Sequence, residues 1–179
     1  MVSKRVFAVF AGCFLILTCN MNRSQAQRVW KDYLVTGSFM LISGMIDGTV
    51  ESLNYHYRDG FKNRIPMANN QFWNPRQSWK NKYRNGDPSQ GEKFSGSTDL
   101  LICTTDGYHA LHTAKQVLDV STLVYYMGNS SCSKTKRKNN WKNIATDFIV
   151  LSAIRSIGFH LTYSLIFMPN QSIVNNRGN

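Results

Sequence analysis

Several signatures of familiar chemistry are missing from this sequence. It has no glycine-rich phosphate loop, no GxSxG elbow, no HExxH helix and no CxxC pair, which sets aside the common nucleotide-binding, serine-hydrolase, zincin and dithiol readings. Its four histidines are too few for a multi-histidine membrane di-iron site. Acidic residues are also scarce, 10 against 21 Lys and Arg, and the net charge of +11 points to anionic partners such as phospholipid head groups or nucleic acid. With 42% hydrophobic and 12% aromatic residues the chain is not disordered. A mean hydropathy of -0.31 requires sizeable polar segments beside any membrane span. No internal repeat or low-complexity tract is visible, and 179 residues suit one domain.

What is present begins with a leader. MVSKR, VFAVFAGCFLILTC and NMNRSQA form a basic, then apolar, then small-residue sequence, so residues 1–26 read as a signal peptide cut after Ala26. The alternatives are an uncleaved anchor, short for a core of about 30 Å, and a lipoprotein through Cys19, disfavoured by the bulky Thr18. Cleavage leaves residues 27–179 as a single domain, still basic, with Cys103 and Cys132 able to pair in an oxidising compartment. The sequons at Asn22, Asn129 and Asn170 matter only in a eukaryotic secretory pathway.

The remaining pattern is all-α, with three main helices and a long ordered polar loop between the first and second. The first helix is expected over about 33–57, where VTGSFMLISGMIDGTV is apolar and small enough to span a membrane. The third, over about 144–168, contains FIVLSAIRSIGFHLTYSLIF, is closed by Pro169, and is the strongest span candidate. The second, over about 98–127, places Leu100, Cys103, Leu111, Ala114 and Leu118 on one side and Asp99, Asp106, His109 and Gln116 on another, so it reads as an interfacial or packed amphipathic helix. The segment 58–96 is rich in turn residues and aromatics, and its length argues for internal order. Trp73 and Trp79, set among Lys and Arg, read as an interfacial pad. If only the first and third helices span, the basic stretches 58–96 and 134–142 lie on the same, cytoplasmic side. A peripheral periplasmic bundle is the alternative.

Charged residues inside apolar helices are the candidates for chemistry. Asp47 and Glu51 share one face of the first helix, where they either ligate a metal or exchange protons, or sit wet at its head-group end. Arg155 in the third helix is free to answer such acids, and structural pairing ranks ahead of catalysis. In TTDGYHALH, Asp106 and His109 can converge while His112 lies farther round. A divalent metal there needs further ligands, for which His160, Glu51 or His56 are available; the plainer reading is an aspartate orienting a histidine ring. One buried polar cluster of Asp47, Glu51, Asp106, His109 and Arg155 is the most economical way to bury all these groups, helped by close approach at Gly44, Gly48 and Gly158.

The blocks QFWNPRQSWKNKY, GSTDLLICTTDGYH and GFHLTYSLIF resemble a family of small, uncharacterised envelope or membrane proteins of Bacteroidota-type bacteria, over about residues 35–168. DGYH and WKNIATD are similar to local features of small bacterial lipoproteins of unknown function. The resemblance implies an envelope location, in the inner membrane, and no particular activity. The expectation is a structural or interaction role with phospholipid and other envelope proteins as partners, ahead of a membrane-embedded metal binder or hydrolase using an Asp/His cluster. Aromatic and basic residues at 72–84 could stack bases, but export removes the chain from nucleic acid.

Overall fold

The computed structural model describes residues 23–132 and 141–168, and the side chains of residues 30–127 and 144–168. Residues 1–22, the greater part of the basic stretch 134–142, the side chain of Cys132 and the three sequons lie outside this account. The last four residues of the expected leader form the first turn of a long helix.

The described residues are helical and form no strand, as expected. Helix α1 runs Arg23–Tyr55. A π-helical turn, Tyr57–Lys62, leads into the short helices α2 (Asn70–Trp73) and α3 (Pro75–Ser78) and several 3-10 turns. Helix α4 runs Gly107–Cys132, and α5 runs Trp141–His160 before widening into a π-helical end, Leu161–Phe167. The second helix thus starts nine residues later than the pattern over 98–127 suggested. Residues 98–106 are turns because Asp106 caps the helix, its Oδ1 accepting the His109 backbone N–H at 2.9 Å.

Helix α1 stays regular through its small and hydroxyl-bearing residues because these satisfy themselves locally. Thr36 donates to the Asp32 carbonyl at 2.7 Å, Thr49 to that of Met45 at 2.9 Å and Ser52 to that of Gly48 at 2.8 Å. No water is needed for these hydroxyls, so they suit an apolar setting. The same small residues let α5 approach. A Cβ on Gly44 would strike the Arg155 carbonyl, one on Gly48 the Thr162 hydroxyl, and one on Gly158 the Leu41 carbonyl. Thr162 uses this closeness, donating across to the Met45 carbonyl at 2.9 Å.

Helix directions follow from the contacts. Tyr33 meets Asp147, Gly37 meets Ile154 and Gly48 meets Thr162, so α1 and α5 run parallel. Asp32 meets Tyr125, Ser43 meets Asp119 and Asp47 meets Lys115, so α4 runs antiparallel to α1 along its length. The end of α1, the start of α4 and the end of the π-helical segment therefore share one end of the bundle, where residues 56–106 form a cap. The cap has its own core of Leu53, Tyr57, Phe61, Ala68 and Phe167, with Trp73 and Leu111 against it.

Two sequence expectations are corrected by this arrangement. The expectation that the two basic stretches share a side meets a different arrangement: α4 runs the length of the bundle, so its last turn and the start of α5 lie at the end opposite to 58–96, while most of 134–142 is outside the described residues. On α4, Lys115, Asp119, Tyr125 and Tyr126 find partners on α1 and α5, while Gln116 is exposed and Asp99 lies in the turns before the helix. Cys103 and Cys132 cannot pair within the chain either: they flank the full 26 residues of α4, about 38 Å of helix, against the roughly 6 Å between α-carbons that a disulfide allows.

Candidate functional site

The charged side chains of the bundle separate into two centres. The first lies at mid-bundle. Asp47 of α1 receives Lys115 of α4 at 2.9 Å on Oδ1 and Arg155 of α5 at 2.5 Å on Oδ2. Arg155 also reaches Asp119 at 3.9 Å, and Asp119 in turn accepts the Ser43 hydroxyl at 2.6 Å. Two acids and two bases from three helices thus form a formally neutral set. Their side chains are 21–34% exposed, so they lie in a groove and are not sealed off.

Towards the far end of the bundle, Asp147 is buried and accepts the hydroxyls of Tyr33 and Tyr126, the latter at 2.7 Å. Tyr125 donates to Asp32 at 3.3 Å.

The second centre is at the cap end. Asp106 is 1% exposed. It caps α4, accepts the Thr105 hydroxyl at 3.2 Å, and holds the His109 ring, whose Nδ1 lies 2.9 and 2.8 Å from its two oxygens. A carboxylate only accepts, so Nδ1 bears a proton, and in the neutral ring Nε2 then carries the lone pair. Asp106 and His109 line a cleft of about 170 Å³ together with Asn54, Ser78, Trp79 and Tyr108. Asn81 ties the cap to this corner, donating to the carbonyls of Thr105 at 3.0 Å and Gln71 at 2.7 Å.

The single cluster expected from the sequence is therefore divided. Asp47 and Arg155 do meet. Asp106 and His109 also meet, but with each other and at a different level. Glu51 is half-buried one turn beyond Asp47 and lies within electrostatic range of His112, whose Nε2 is buried with no hydrogen-bond partner among the described residues. His160 is exposed and sits 3.1 Å from Ser164. His56 lies 3.1 Å from the Tyr163 hydroxyl. The proposed metal set of Asp106, His109, His160 and Glu51 is not assembled, since among the described residues no three His, Cys, Asp or Glu side chains converge. The reason is axial distance along α1 and α5, which helical phase alone does not report.

The two tryptophans also part company. Trp73 turns inward, 5.6 Å from Phe61 and over Gly107 at the start of α4. Trp79 is exposed, edge-on to Tyr83, with the Lys80 ammonium 5.7 Å from its ring.

Sequence reasoning missed Lys115 and Asp119. Their signal was there: they are four apart on α4, interrupting an otherwise apolar stretch at the spacing that puts both on the face carrying His112.

Two segments, Trp30–Tyr55 and Ile144–Phe167, are long and apolar enough to cross a membrane. The chain matches no family model, no curated protein and no solved structure.

Proposed function

We propose that this chain is a membrane-embedded three-helix protein of the bacterial envelope with a structural or interaction role, in which paired charges lock the helices and the cap is presented at one face of the bilayer. One observation carries the reading: the bundle is apolar on the outside and ionic within. Val117, Val120, Leu123 and Val124 of α4 and Phe148 and Ile149 of α5 are exposed, while Asp47, Lys115, Arg155 and Asp119 face one another. Lipid favours this distribution and water opposes it. Because α4 is packed antiparallel along α1, it crosses the same layer as its neighbours, and the cap faces the side opposite to the last turn of α4 and the start of α5.

The partners on this reading are phospholipid and other envelope proteins that meet the basic cap. Export by the leader and cleavage near Gln27 belong to the same proposal. Extraction tests it: the protein should stay with the membrane in alkaline carbonate and leave only in detergent, and intact mass should place the N-terminus at or near Gln27. Release by carbonate alone would remove the embedded bundle. The second reading, a hydrolase built on an Asp/His pair, is favoured by the contact of Asp106 with His109 inside a cleft. As a metal centre the same pair would need ligands from outside the described residues.

A further inference from the structure

We infer that His109, oriented by Asp106, is a general base that acts in the cap-end cleft on a carboxylic ester at the membrane surface. The inference rests on the membrane placement proposed above and assigns to that fold a hydrolytic site.

The geometry of the pair is that of an oriented base. The buried Asp106 is held from two directions, by the His109 backbone N–H and by the ring itself. Fixing the proton on Nδ1 leaves Nε2, on the opposite edge of the ring, as the acceptor. His109 is tied to Asp106 through Nδ1 and lines the cleft, where its side chain is 28% exposed. Purely structural capping would not require the ring: the Asp106 carboxylate already caps α4 through the backbone N–H. Around the base, Asn54 and Ser78 supply an amide and a hydroxyl able to donate to a developing oxyanion, and Trp79 supplies an apolar wall.

The location selects the substrate class. Asn54 is the next-to-last residue of α1, at the edge of the apolar Trp30–Tyr55 segment, so the cleft lies where hydrocarbon gives way to head groups. In a phospholipid the acyl ester occupies that level. In the reaction, a water oxygen bonds to the ester carbonyl carbon as Nε2 takes one of its protons. The tetrahedral adduct then collapses, the carbon–oxygen bond to glycerol breaks, and the proton on Nε2 passes to the departing alkoxide. The products are a fatty acid and a lysolipid, with no other reactant consumed.

The test uses the full chain in vesicles of phosphatidylcholine and phosphatidylglycerol, with fatty acid and lysolipid followed by mass spectrometry, and a short-chain ester in detergent micelles as a parallel substrate. Wild type should release both lipid products. His109→Ala should lower the rate about 100-fold or more, and added imidazole should restore part of it, which a structural defect would not allow. Asp106→Asn, which keeps a good helix cap, should lower kcat with KM nearly unchanged and leave thermal stability close to wild type. No hydrolysis of either substrate above the His109→Ala background, or loss without imidazole rescue, overturns the proposal. Cleavage of the micellar ester with bilayer lipid untouched overturns the lipid assignment and, separately, the placement of the cleft at the bilayer surface.

Discussion

The bundle and the cap have opposite insides. In the cap, Leu53, Tyr57, Phe61 and Phe167 are buried and most charged residues, such as Arg58, Asp59, Arg64, Arg76 and Lys80, are exposed, with Asp106 the buried exception. In the bundle, aliphatic residues of α4 and α5 are exposed while Asp47, Lys115, Asp119 and Arg155 are gathered between helices. One chain thus follows two solvation rules, changing at about Tyr55. The cap coheres by removing apolar area from water. The bundle coheres by backbone closeness and by ion pairs that join its three helices.

Overpacking α1 should break the bundle most severely. Gly48→Leu places a side chain where the Thr162 hydroxyl and the Phe159 carbonyl already are, so we expect a loss of about 3 kcal/mol or more, or failure to fold, read by thermal or detergent denaturation. The cap, with its separate core, should retain more of its hydrogen-exchange protection than α5.

Next in size is Asp47→Leu, which strands Lys115 and leaves Arg155 with Asp119 alone at 3.9 Å. Removing one partner of a fully buried pair costs roughly 3–5 kcal/mol; these groups are a quarter to a third exposed, so we expect about 2–3 kcal/mol by the same measurement. The double variant Asp47→Leu with Arg155→Met should recover part of this loss, because fewer charges are left unanswered. An Asp47→Leu protein as stable as wild type would show that the quartet is a surface network and the bundle is held by packing alone.

Asp106→Ala should cost the cap end about 1–2 kcal/mol through loss of the α4 cap, with Asp106→Asn recovering most of it. Exchange of the Tyr108–Ala110 amides should report the change locally, leaving amides near Asp119 unaffected. If the loss spreads along all of α4, the two centres are one cooperative unit.

The smallest effect is one of pH, and it belongs to the cap. Ser89 holds the Asp87 carboxyl below its ordinary range through its backbone N–H, and Glu92 is held low by the Thr98 hydroxyl and the Gly96 N–H. Groups depressed in the folded state stabilise it above their unfolded pKa, and that contribution is lost as pH falls through the depressed folded value. Acid below the usual carboxylate range should therefore loosen residues 84–98, seen as faster amide exchange there.

Much of this was legible in the sequence. The apolar, small-residue run from Val35 to Val50 and the run from Phe148 to Phe167 are informative by length alone, and both lie in helices long and apolar enough to cross a membrane. Arg155 was expected to answer an acid of the first or second helix, with Asp47 and Glu51 both open, since an isolated charge in an apolar segment is costly, and it is Asp47 that it meets. The convergence of Asp106 and His109 was read from a spacing of three within a helix over about 98–127; the two do meet, but with Asp106 as the cap just before α4.

Tertiary structure alone decided which charges meet and at what level. Helical phase says which face a residue occupies but not how far one helix is slid past another, and that slide is set by glycines 44, 48 and 158 meeting the Arg155, Thr162 and Leu41 atoms that fill their places. It put Lys115 and Asp119 opposite Asp47 and Arg155, separated them from Asp106 and His109, and kept His160 outside both centres. The direction of α4 was likewise invisible in composition, because a polar residue that is paired and one that faces water are written with the same letter. Only the neighbour supplied by the fold distinguishes them.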